Sequence, residues 1–196
     1  MFTGRTYSLT EPWLAALALV DGRIAAKFIT EDEGGQRVAE ESETLSEEEM
    51  RERVIQLAFG GVEARFNEFC EVVRCAIPED TCVVLRGSAV TGVRWKDGTP
   101  FDGDGPGTSD LDLTLVGTEI LGEYILDGFY VPGIHTKPLS DKDPDIAPTL
   151  IPLREKLVAM VKRPVNIQAT RDFIMQLRGD WMGQPYLTLI GKVGEP

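Results

Sequence analysis

The sequence predicts a mixed α/β fold, a small mixed β-sheet with helices packed against it and an N-terminal β-hairpin in front. Two observations carry this expectation. Short apolar runs of strand length alternate with segments whose apolar residues recur at helical spacing. Stretches rich in Gly, Pro and Asp separate them and read as loops. A length of 196 residues fits one compact domain with an appended element and is enough to bury a good core. The 42% apolar and 27% charged residues are ordinary for a globular chain.

Trp13 to Val20 and Arg23 to Thr30 are apolar runs joined by Asp21-Gly22, a strong two-residue hairpin signal. Residues 1–45 therefore read as a hairpin and an acidic loop, and residues 46–196 as the main unit. Ser46 with Glu49 has the form of a capping box. The helix that follows places Met50, Val54, Leu57 and Ala58 on one face, then Val62, Phe66, Phe69 and Val73 after Gly60-Gly61, a pair that bends or splits it.

Thr81 to Leu85 reads as a buried strand and Ser109 to Val116 as a second, with a loop over Arg94 to Gly107 between them. Residues 117–145 give no clear periodicity. A helix over Thr149 to Lys162 puts Leu150, Leu153, Leu157 and Val161 on one stripe, and Pro164 stops it. Val165 to Gln168 reads as a third strand, Arg171 to Leu177 as a last helix and Tyr186 to Ile190 as a final strand.

The net charge of −12 is unevenly spread: residues 31–52 hold ten acids and two arginines, a net of −8. The rest of the chain is close to neutral for its size. Extended duplex nucleic acid is a poor partner for such a chain, because phosphate contacts need clustered Lys and Arg. Three cysteines without a CxxC pair and a single histidine argue against a structural zinc site. No apolar run approaches a membrane span, and Met1 to Thr10 lacks the order of a secretory leader. The expectation is a cytoplasmic chain with reduced thiols and no membrane partner.

The residues that point to chemistry are Gly87-Ser88 at the end of one strand and Asp110-Leu-Asp112 in the next. Alternate residues of a strand share a face, so both aspartates project together. Adjacent carboxylates repel each other unless a cation lies between them, and Mg²⁺ is the natural hard ion. The alternative is two surface carboxylates on an exposed strand.

Helix, strand with Gly-Ser, strand with Asp-x-Asp, helix, strand resembles the order of the DNA polymerase beta-like nucleotidyltransferase superfamily over roughly residues 46–170. The matching residues are Gly87, Ser88, Gly92, Ser109, Asp110 and Asp112. The resemblance implies transfer of a nucleoside monophosphate from an NTP to an acceptor hydroxyl, with pyrophosphate leaving. It implies Asp110 and Asp112 as catalytic Mg²⁺ ligands, and Gly87, Ser88 and Ser109, with Arg86 beside them, as nucleotide-binding. The acceptor could be a small molecule, a protein or an RNA end.

Two features depart from the family pattern. The spacer between Gly-Ser and Asp-x-Asp is longer, running through Trp95 and Asp104. Asn166 stands where the family places a third metal-binding acid. An amide can offer a carbonyl oxygen to a metal but cannot act as a base. Either another acid (Asp127, Asp145 or Asp172) substitutes, or Asn166 is misaligned, or catalysis is weakened. The weakened case leads to a second expectation, a nucleotide-binding or protein-interaction module of regulatory or toxin-antitoxin type. In the rest of the chain, Asp102-Gly-Asp104-Gly reads as a flexible turn rather than a calcium loop. Arg178-Gly-Asp180 reads as a chance tripeptide and His135 as a surface histidine. Phe129 and Tyr130 read as core or as a stacking platform, and Arg86, Arg94 and Lys96 as solvated or phosphate-contacting.

Overall fold

The computed structural model describes residues 45–172 and 184–191, together with the strands at 16–20, 23–31 and 37–41. The chain divides into two compact units, residues 1–46 and 47–196. In the first, β1 (Ala16–Val20), β2 (Arg23–Glu31) and β3 (Arg37–Glu41) form an antiparallel three-stranded sheet in that order. The Asp21-Gly22 turn lies outside the described residues, as do Arg178 to Asp180 and most of the expected helix after Arg171.

The second unit is mixed α/β. Helix α1 (Glu47–Phe59) follows Ser46 directly, with Glu47, Glu48 and Glu49 in its first turn, where carboxylates suit the helix dipole. Gly60 and Gly61 have φ of 65° and 77°, a left-handed step that ends α1 and separates it from α2 (Glu63–Arg74). The pair thus splits the expected helix. The buried face of α1 is Met50, Val54, Ile55, Ala58 and Phe59, so Ile55 and Phe59 occupy the core in place of Leu57. Phe59 meets Phe66 and Phe69 edge-on, with centroids 5.5 Å and 5.3 Å away, which turns the buried faces of the two helices toward each other. Val62, expected on that stripe, is exposed because it lies in the link before α2.

Strand β4 (Cys82–Arg86) runs into a single helical turn, α3 (Ser88–Thr91). Strand β5 is Leu111–Val116, β6 Phe129–Val131 and β7 His135–Thr136. Helix α4 (Ile151–Val161) leads into β8 (Val165–Thr170), and β9 is Leu187–Ile190. The six strands lie in the order β6-β7-β8-β5-β4-β9. β5 is antiparallel to β4 and parallel to β8, so the sheet is mixed. Residues 117–145, unassigned from sequence, supply two 3₁₀ turns and the edge strands β6 and β7. The stripe of α4 is as expected, with Leu153, Leu157 and Val161 buried and Leu150 buried just before it. Lys162, at φ 56°, ends the helix before Pro164 is reached.

Pairing register sorts the central strands into two faces. Leu85 lies opposite Leu113, and Leu113 opposite Ile167; Val83, Leu115 and Ala169 continue this row, all buried. The alternate residues are polar in the centre: Arg86 is opposite Asp112, and Asp112 opposite Asn166, with Thr114 opposite Gln168. Burying the apolar row is worth roughly 25 cal/mol per Å² of surface removed from water, and this term holds the sheet to its helices.

Candidate active site

The polar face of the sheet positions the site. β4 ends at Arg86, and the chain reverses at Gly87 with φ 84° and ψ −164°, a region that only glycine occupies readily. A Cβ on Gly87 would lie 3.0 Å from Asp112 Oδ2, so this turn packs directly against the aspartate. Asp112 is flanked by Arg86 on one side and Asn166 on the other. Asp110 lies one residue before β5, so the expected strand starting at Ser109 is shortened. Even so, the two carboxylates converge. Asn166 Nδ2 donates to Asp110 Oδ2 at 2.7 Å and to Asp112 Oδ1 at 2.9 Å.

Burial pushes the Asp112 carboxyl up, to about 6, and the Asp110 charge adds to this. The Asn166 hydrogen bond and the Arg86 charge pull in the opposite direction without cancelling it. Burial lowers the pKa of Arg86, and Asp112 partly offsets that. The Arg86 Nε donates to Thr114 Oγ1 at 3.1 Å, and Gln168 Nε2 donates to the same oxygen at 3.3 Å. Two carboxylates held this close, with Asp112 raised, form a place where added positive charge is favourable.

The donor set fits a hard divalent ion in part. Asp110 and Asp112 offer carboxylate oxygens, and half a turn of the Asn166 amide offers a third oxygen in place of its NH₂. Among the described residues no group of three or more His, Cys, Asp or Glu side chains is placed to hold a metal. Asp127, Asp145 and Asp172 are exposed and none of them joins Asp110 and Asp112 in such a group.

Ser109 belongs to a neighbouring network that sequence reasoning missed. Residues 92–109 are a run of tight turns, bonded through Arg94 N–H to Thr99 O at 2.7 Å and Phe101 N–H to Gly92 O at 2.9 Å. Asp102, expected in a flexible turn, is their hub. Its carboxylate accepts from Arg163 Nη1 at 2.9 Å and Nη2 at 3.1 Å, and from the backbone N–H of Gly107 at 2.9 Å and of Ser109 at 3.0 Å. Burial alone would raise the Asp102 pKa, but these donors outweigh it and hold the pKa down at about 2. A lone arginine between a helix and a strand carries no periodic or motif signal, which is why Arg163 was not legible.

The remaining candidates lie apart from this cluster. Arg94 is ion-paired with Asp97 and Asp104, and Lys96 is exposed. His135 is half-buried and stacks on the exposed Tyr130 with ring centroids 5.9 Å apart. Burial first, and the Arg86 charge second, lower its pKa and favour neutral imidazole. Phe129 meets Tyr124 edge-on at 6.3 Å. Cys70, Cys75 and Cys82 are free thiols. Among the described residues no helix is long and apolar enough to cross a membrane. Comparison with family models, curated proteins and solved structures gives no match for this chain.

Proposed function

We propose that the protein is a Mg²⁺-dependent nucleotidyltransferase, transferring a nucleoside monophosphate from an NTP to an acceptor hydroxyl with release of pyrophosphate. The observation that carries this reading is the convergence of Asp110, Asp112 and Asn166 against the Gly87 turn. The chain order supports it too: a Gly-Ser strand, an antiparallel Asp-x-Asp strand, a helix, and a strand parallel to the second. This is the connectivity expected of a nucleotidyltransferase-like fold.

In this reading Asp110 and Asp112 hold the ion, with the Asn166 oxygen as an additional ligand. Bound there, Mg²⁺ would offset the charge of the triphosphate and of the transition state. Gly87 and Ser88 hold the phosphates beside the ion. The backbone can approach them closely because no side chain projects from Gly87. Arg86, buried and opposite Asp112 in register, brings positive charge beside that carboxylate and beneath the phosphates. The acceptor is a small molecule, a protein side chain or an RNA end.

A second reading is favoured by one specific observation. The Asn166 NH₂ already bridges the two carboxylates, neutralising part of their repulsion without a cation. A site satisfied in this way suits a nucleotide-binding module of low or no turnover, in a regulatory or toxin-antitoxin role.

Pyrophosphate release measured with each NTP, Mg²⁺ and a panel of acceptors separates the two. Release that Asp110→Asn and Asp112→Asn each reduce by at least about 100-fold supports the enzyme. NTP binding without release supports the module. If neither substitution changes binding or release, the site itself is wrongly placed.

A further inference from the structure

The ion pair formed by Asp102 and Arg163 does more than tie down a loop, because it engages the residue next to Asp110 from both sides. Asp102 Oδ1 accepts the Ser109 backbone N–H at 3.0 Å, and Arg163 Nη1 donates to the Ser109 carbonyl at 3.1 Å. The Asp102 backbone N–H donates to Ser109 Oγ at 2.7 Å. The donor, the acceptor and the hydroxyl of Ser109 are all engaged by this one pair. On the other side of Asp110, the Leu111 N–H donates to Pro164 O at 2.9 Å. Asp110 is therefore suspended between two peptide units that are each anchored to Arg163 or to its neighbour Pro164.

The same anchor positions the third member of the site. Arg163 and Pro164 form the short link between α4 and β8, and β8 carries Asn166. Arg163 is buried, with its guanidinium 4.5 Å from the Phe101 ring centroid. A Cβ on Gly107 would meet Lys162 O at 3.0 Å, so the loop lies tightly against the end of α4. Asp110 follows a long loop and Asn166 follows the link out of α4, and the Asp102–Arg163 pair joins that loop to that link.

We propose that Asp102 and Arg163 are positioning residues that set Asp110 at the distance from Asp112 and Asn166 at which a divalent cation can be held. The proposal rests on the metal-site reading above and extends it to residues that touch neither ion nor nucleotide. A planar guanidinium bidentate to a carboxylate suits this role, since its fork fixes orientation as well as distance. Outer partners of this kind typically change metal affinity by about 10- to 100-fold when removed.

The test uses the full chain. Asp102→Asn removes the charge and weakens the fork, and Arg163→Lys keeps the charge but loses the fork. Two quantities are measured on each variant, the exchange with water of the Asn166 side-chain NH₂ by NMR, without added metal, and the affinity for Mg²⁺ alone by calorimetry. In Asp102→Asn the Asn166 NH₂ should exchange about 10-fold faster, because Asp110 no longer holds it, while the Ile167 backbone amide, bonded to Leu139 O at 3.1 Å, is unchanged. Mg²⁺ affinity should fall by about 10-fold or more, with a smaller fall in Arg163→Lys. Unchanged Asn166 exchange in both variants overturns the positioning role, as does faster exchange with wild-type Mg²⁺ affinity. Faster exchange in a protein whose wild type binds no Mg²⁺ leaves Asp110 positioned as proposed and overturns the metal-site reading instead. Should Asp102→Asn fail to fold, Arg163→Lys carries the same two readouts.

Discussion

Gly87 shows how tightly single residues are constrained here. Its backbone lies in a region closed to residues with a side chain, and the space a Cβ would need is occupied by the Asp112 carboxylate. Gly87→Ala should therefore cost about 1–3 kcal/mol in chemical denaturation, from backbone strain alone. It should also weaken nucleotide binding, by displacing Asp112 and blocking the close approach of phosphate. An alanine variant as stable as wild type would mean that the turn can relax, and that glycine there serves no steric purpose. This residue was legible because Gly-Ser at a strand end is a local pattern. The Asp102–Arg163 pair was not legible, since its partners are far apart in sequence and neither repeats with any period.

At the scale of elements, β4 was readable as a short apolar run buried throughout, and β5 and β8 because burial on one face imposes alternation. Leu111, Leu113 and Leu115 alternate with Asp112 and Thr114 on β5, and Val165, Ile167 and Ala169 alternate with Asn166 and Gln168 on β8. α2 and α4 follow the same logic at helical spacing, and the parallel register places Asn166 opposite Asp112. The edge strands β6 and β7 were unreadable, since with three and two residues they are too short to show a period. Asn166 gives the sharpest prediction for an element. Asn166→Asp replaces a donor shared by two carboxylates with a third carboxylate, so the metal-free protein should lose roughly 1–3 kcal/mol at neutral pH. Added Mg²⁺ should restore that loss, and its affinity should rise by about 10-fold. If the amide is what limits turnover, pyrophosphate release should rise with it. A variant that is destabilised equally with and without Mg²⁺ would argue that no cation enters between these strands.

Across the whole molecule, two carboxylates with pKa values shifted in opposite directions together shape the stability of the metal-free protein with pH. Asp102 has its folded pKa depressed to about 2, so its contribution is present above the unfolded value near 3.8 and is lost as pH falls through 2. Asp112 has its folded pKa raised to about 6, so it favours the folded state below 3.8, and that advantage is lost as pH rises through 6. Stability should then peak at about pH 4 and decline on both sides, by roughly 2–3 kcal/mol for each group. The two limbs have separate causes and separate remedies. Asp102→Asn should flatten the acid limb and, by loosening Asp110, also shrink the upper one a little. Asp110→Asn removes the charge that adds to burial in raising Asp112, so it should shrink the limb between about pH 4 and 6 and stabilise the metal-free protein at pH 7. Saturating Mg²⁺ should act on that same limb in the wild type, because a bound cation favours the ionised pair, and do little there in Asp110→Asn. Urea unfolding at half-unit pH steps, with NaCl matching the ionic strength of the Mg²⁺ samples, would check each limb. The salt control matters because the chain carries a net charge of −12, and any cation screens that repulsion. An upper limb that responds equally to Mg²⁺ and to NaCl would assign the decline to overall charge rather than to Asp110 and Asp112.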